Sequence, residues 1–146
     1  MTQVEVQREF AAPREEVFER YTDHLSFWEF MGSVRLEKEG SPNKNGLGCI
    51  RVIGSPPMSA FEEVVAFDPP ERMNYRVIKG GLGIKNHLGE VTFEETATGT
   101  RILWRCRFDA KIPGLGPLLR IMITRVFRGA LERFSTQFEE PNAPTR

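Results

Sequence analysis

The stretch Ile112–Glu140, IPGLGPLLRIMITRVFRGALERFSTQFEE, decides how the rest of the chain must be arranged. A turn punctuated by proline and glycine opens it. More than twenty residues then follow with Gly129 as the only breaker, which predicts one long helix over Leu115–Glu139. Leu119, Met122 or Ile123, Val126, Ala130, Phe134 and Phe138 recur at spacings of three and four, so they share one helical face. Arg120, Arg125, Arg128, Glu132, Arg133 and Glu139 occupy much of the remainder. A helix this long with so wide an apolar face needs a broad partner surface. The hundred residues before it read mostly as strands, and a curved sheet is the natural partner.

Those strands can be followed in order. Val4, Val6 and Phe10 alternate with polar residues, giving a first strand. Pro13 suits the first turn of a short helix, where its missing N–H costs nothing. Glu15 and Glu16 sit at that helix's positive end, and Val17, Phe18 and Tyr21 form its buried edge. A second short helix is predicted over His24–Met31, HLSFWEFM, rich enough in aromatic side chains to plug one end of a core. Val34 and Leu36 begin the next strand, and Gly40–Gly48 is a turn region. Cys49–Ile53, Phe61–Phe67, Met73–Val77, Ile84–Glu94 and Ile102–Phe108 complete the strands. The prolines of Gly54–Met58 and Asp68-Pro69-Pro70 interrupt them. Links this short exclude a parallel sheet, which needs a crossover between strands. The fold class is therefore α+β: a curved antiparallel sheet wrapped around a long C-terminal helix, with two short helices after the first strand. Such a sheet cannot lie flat on one cylinder, and its curvature can leave an internal cavity.

Composition narrows the function. With 146 residues the chain has room for one domain, 1–146, and its tail 141–146 is expected to fray. Twenty basic residues balance twenty acidic ones, which gives no support for a nucleic-acid binder, and the arginines of the last helix read as a solvated face. No targeting segment or long apolar run is evident, so the expectation is a cytoplasmic protein without integral membrane association, monomer or homodimer. Cys49 and Cys106 are isolated and are expected to be free thiols. His24 and His87 are not spaced with them as zinc ligands, and neither metal nor cofactor is expected.

Taken together, residues 9–31, the segment Gly48-Cys49-Ile50-Arg51, Glu62 six residues before Asp68, and Ile84-Lys85-Asn86-His87 resemble the polyketide cyclase/dehydrase-like branch of the START-like (SRPBCC, birch-pollen-allergen-type) superfamily. The resemblance covers nearly the whole chain. It implies the helix-grip fold and a cavity for a hydrophobic small molecule: a lipid, polyketide or aromatic. Plant hormone receptors of that superfamily hold their ligand with a lysine, a glutamate and a tyrosine. Here the lysine position falls near Trp28, the glutamate is kept as Glu62, and His87 replaces the tyrosine. A second receptor glutamate becomes Cys106, and the gate loop is replaced by Gly54–Met58. The resemblance therefore implies a cavity without the receptors' carboxylate anchor.

Strand alternation sets His87 with Gly89, Val91 and Phe93, toward the interior. A histidine there could bond a ligand carbonyl or act as acid or base near neutral pH; it could equally bond backbone at a strand end. Glu62 could orient a ligand hydroxyl or take a proton once burial raises its pKa. Its orientation is ambiguous, because Phe61, Val65 and Phe67 argue for odd positions inward while the resemblance puts Glu62 inward. A bulge would reconcile the two. Arg51 would need an acidic partner if inward, and Glu62 is the candidate. Tyr75 could present a phenol. Trp28, Phe30, Ile53, Val77, Trp104, Phe108, Met122 and Val126 are the apolar lining candidates. Three readings follow: a binding protein for a hydrophobic small molecule; a cyclase or dehydratase using His87, Glu62 and Tyr75 as acid, base or enolate stabiliser; or an interaction protein with a filled interior.

Overall fold

A computed structural model describes residues 1–81 and 83–139 of the chain. The expected tail, 141–146, lies outside the described residues. The elements run β1 (Thr2–Phe10), α1 (Arg14–Tyr21), α2 (His24–Phe27), β2 (Val34–Lys38), β3 (Ile50–Ile53), β4 (Ala60–Asp68), β5 (Arg72–Gly80), β6 (Ile84–Thr96), β7 (Gly99–Ala110) and α3 (Gly116–Ser135). They form a seven-stranded antiparallel sheet in the order β1-β7-β6-β5-β4-β3-β2. The first strand pairs with the last, so the sheet curls around α3 rather than spreading flat. This is the helix-grip architecture.

The helices are shorter than the periodicity predicted. The second is a single α turn, His24–Phe27, continued by a 3₁₀ turn at Glu29–Met31, and α3 ends at Ser135 before a 3₁₀ turn at Thr136–Phe138. The buried row of α3 is also rotated from the predicted one. Phe127, Ala130, Leu131 and Phe134 face the core, while Met122 and Val126 are 47% and 38% exposed. Phe127 wins the inward position because Trp104 of β7 offers it a flat partner: the rings stack 3.8 Å apart at an interplanar angle of 11°. At the other end of the core, Phe134 packs edge-on against Phe10 and Phe27. Tyr21 joins Phe27, Phe93 and Trp104 in the same cluster. The aromatic plug predicted for the second helix is thus built from both short helices and the C-terminal half of α3.

Three bulges decide which side chains point inward. In the β4–β5 pair Val64 faces Tyr75 and Ala66 faces Asn74, which leaves Val65 without a partner. The extra residue switches parity: Glu62 and Val64 are buried before it, and Phe67 packs on Phe18 after it. The alternation predicted from Phe61, Val65 and Phe67 therefore fails at Val65, which is exposed. A second shift leaves Ile78 outside the ladder between β4 and β5, and a third lies between Lys85 and Leu88 on β6. At the third, Asn86 takes a φ of 53°, in the left-handed region where asparagine is tolerated. The buried face then passes from Ile84 to His87, Gly89, Val91 and Phe93.

Candidate functional site

Between the sheet and the N-terminal half of α3 the sheet's curvature leaves a cavity of about 580 Å³. Its apolar wall comes from Trp28, Ile53, Ala60, Val77 and Ile84, with Leu119, Met122, Ile123, Val126 and Phe127 from α3. Met31, Pro56 and Met58 stand at its edge. The polar side chains on its wall include Glu62, Tyr75, His87 and Cys106. Of the residues singled out in the sequence, Trp28, Ile53, Glu62, Tyr75, Val77, His87, Met122 and Val126 line this space. Phe30, Arg51, Trp104 and Phe108 do not. Trp104 and Phe108 are wholly buried in the core, and Phe30 is stacked on Trp28 away from the cavity wall.

Arg51 lies one layer behind. It is fully buried, directly opposite Glu62 in the β3–β4 ladder. Its Nε donates to Glu62 Oε1 at 2.9 Å, and Nη2 lies 2.7 Å from the same oxygen. Its Nη1 donates to His24 Nδ1 at 2.9 Å. Because guanidinium can only donate, His24 Nδ1 is the acceptor. The His24 proton therefore sits on Nε2, which donates to the Asn45 carbonyl at 3.0 Å. Burial and the neighbouring Arg51 cation hold His24 well below the ordinary histidine range, so it stays neutral. The guanidinium also lies 4.7 Å from the Tyr75 ring centroid, a cation–π contact. The partnership of Arg51 with Glu62 follows from strand pairing. That with His24, 27 positions away on α2, carries no local sequence signal.

Glu62 is the carboxylate that reaches the cavity. Both Arg51 contacts fall on Oε1, and Oε2 makes no hydrogen bond among the described residues. Burial pushes the Glu62 carboxyl above its ordinary range, and the Arg51 charge and hydrogen bond pull against that rise. The pair stays ionised near neutral pH, because a neutral Glu62 would leave a guanidinium charge alone in the core.

His87 sits where the β5–β6 ladder opens. The register between these strands runs from Arg72–Thr92 to Tyr75–Gly89 and stops there. Beyond it, the Val77 backbone N–H donates to His87 Nδ1 at 3.1 Å, so an imidazole replaces a ladder carbonyl. This assigns the His87 proton to Nε2. Burial first, and then the charges of Arg51 and Arg76, lower the His87 pKa to about 4. Near neutral pH it is therefore a neutral donor. Tyr75 accepts a hydrogen bond from Trp104 Nε1 at 2.8 Å, which leaves its own O–H free to donate. Its ring lies flat over Gly89: a Cβ there would come within 2.4 Å of the phenol carbons. Burial and Glu62 push the Cys106 thiol up to about 12, so it is no nucleophile at neutral pH.

A second cleft, of about 560 Å³, lies between α1 and the Asn43–Asn45 and Pro69-Pro70 loops. No fully buried charged group faces it. Among the described residues no cluster of His, Cys, Asp or Glu could hold a metal ion, and no helix is long and apolar enough to cross a membrane. Cys49 and Cys106 are both buried and free.

Comparison with known proteins places this architecture. Residues 1–139 match the family model described as polyketide cyclase / dehydrase and lipid transport. A protein from Nitrosospira multiformis is similar in structure (TM-score 0.75, 17% identity), with 94% of this chain and 97% of that one covered. XoxI from Bacillus cereus is similar at a TM-score of 0.76 and 13% identity, over 94% and 96% of the two chains. A Thermobifida fusca protein matches at 0.74 and 19% identity, over 99% and 100%. At these identities the likeness is one of fold. No curated protein matches the chain. The chain belongs to the polyketide cyclase / dehydrase and lipid transport family, whose general role is the binding of hydrophobic small molecules.

Proposed function

We propose that this family member holds its hydrophobic ligand in the cavity between the curved sheet and the N-terminal half of α3, with Glu62, His87 and Tyr75 as the polar anchors. The observation that carries this reading is the combination in one cavity of about 580 Å³: a mostly apolar wall and three polar side chains on β4, β5 and β6. That volume lies within the range of small-molecule sites. A filled interior, the basis of the interaction-protein reading, does not fit it.

Binding accounts for these groups better than turnover. A cyclase or dehydratase needs a base near the acidic α-proton of its substrate. The His87 Nδ1 lone pair is occupied by the Val77 N–H, and Nε2 already carries a proton. Glu62 is tied through Oε1 to Arg51, which holds it in place as an acceptor. Each can orient a ligand, and His87 has no free lone pair with which to abstract a proton.

Native mass spectrometry of the purified chain, incubated with lipid and aromatic extracts, tests the proposal. A one-to-one adduct is expected, weakened at least ~10-fold by His87→Ala and abolished by Ile123→Trp, which fills the cavity from α3. Absence of any adduct, or one unaffected by both substitutions, rejects this site.

A further inference from the structure

The polar groups of the cavity carry more information than their number. Glu62 lines the space with Oε2 as an acceptor that Arg51 does not use, and its charge is balanced by Arg51 behind it. His87 Nε2–H and the Tyr75 O–H are neutral donors, as their outward bonding shows. Among the described residues no lysine or arginine lines the cavity. Arg51 is fully buried one layer behind the wall and does not line the cavity.

This pattern has a consequence for ligand charge. A carboxylate or phosphate entering the cavity would set a negative charge beside an already neutral ion pair, with no cation on the wall to offset it. An ammonium group would place a second positive charge beside a carboxylate that Arg51 has already neutralised. Against a mostly apolar wall either ion gives up hydration with no opposite charge to replace it. A hydroxyl instead can donate to Oε2, and a hydroxyl or carbonyl oxygen can accept from His87 Nε2–H.

We propose that the cavity selects neutral ligands, specifically hydrophobic alcohols or phenols whose hydroxyl donates to Glu62, and rejects fatty acids and amines of the same size. The proposal rests on the binding reading given above, and it concerns which chemical class that site accepts.

Isothermal titration calorimetry of the full chain near neutral pH, with 1-decanol, decanoate, decylammonium and 1-methoxydecane, tests it on the unaltered protein. The alcohol is expected to bind at least ~10-fold more tightly than either ion. The methyl ether, which cannot donate, is expected to bind about 5- to 10-fold more weakly than the alcohol. Decanoate or decylammonium binding as tightly as decanol overturns the proposal, as does an ether equal to the alcohol, while leaving the cavity itself intact as a binding site. Failure of all four to bind removes the binding reading and this inference with it. The paired substitution R51M/E62Q keeps an amide acceptor without the buried charges. In that protein discrimination against decanoate should shrink to less than ~3-fold, and undiminished discrimination would assign selectivity elsewhere and overturn the role of Glu62.

Discussion

His87 shows how one side chain can serve the backbone and the cavity together. Its Nδ1 satisfies the Val77 N–H at the point where β5 and β6 part, and that bond leaves Nε2–H as a donor. The cost is a histidine that must stay neutral. Its folded pKa is about 4, whereas an unfolded histidine titrates near ~6.5. Between those values the unfolded chain binds more protons, so stability rises with pH. The contribution of His87 is fully present above ~6.5 and is lost as pH falls toward 4, by roughly 3 kcal/mol. Urea unfolding of the chain and of His87→Gln across this range should show a shallower pH slope in the variant, whose amide oxygen can still accept from Val77. Equal slopes would mean that His87 is already protonated when folded. At this scale the sequence was only partly legible. The inward set His87, Gly89, Val91 and Phe93 follows from alternation, but the tautomer depends on a strand that alternation does not locate.

At the scale of elements, α3 is two helices in one. Its C-terminal half buries Phe127, Ala130, Leu131 and Phe134 in the aromatic core. Its N-terminal half walls the cavity with Leu119, Met122, Ile123 and Val126 instead of closing on the sheet. Phe127 stands at the junction, stacked on Trp104 and lining the cavity at once. Phe127→Ala should cost about 3–5 kcal/mol in chemical denaturation, whereas Met122→Ala, at an exposed position, should cost less than ~1 kcal/mol. Comparable costs would refute the division of the helix. Periodicity identified the helix but placed Val126 rather than Phe127 inward. A stripe of period 3.6 specifies a face only to within about a residue, and the choice is made by shape against the partner strand.

Across the whole molecule, Arg51 ties together parts of the chain that no local rule connects. It reaches Glu62 on β4, His24 on α2, and the Tyr75 ring on β5. A buried pair of this kind adds little net stability over an apolar one, but removing one partner strands a charge. Glu62→Ala should therefore destabilise the protein by about 3–5 kcal/mol. The double substitution R51M/E62M should recover most of that loss, as measured by unfolding free energies in a double-mutant cycle. Additive losses would show that Arg51 and Glu62 do not act as a unit.

The sequence by itself determined the elements, the antiparallel order and the grip of sheet on helix, because each follows from local periodicity, turn residues and short links. It also made Glu62 the partner open to Arg51. Only the tertiary structure decided the rest. Single extra residues at Val65 and beside Asn86 reverse the inward parity of β4 and β6. Such bulges form where neighbouring strands and core packing demand them: on β4 the sequence left a bulge open only as a way to set Glu62 inward, and beside Asn86 it gave no sign of one. His24 joined Arg51, and Phe127 displaced Val126, for the same reason: burial, charge compensation and ring stacking are settled between segments distant in the chain.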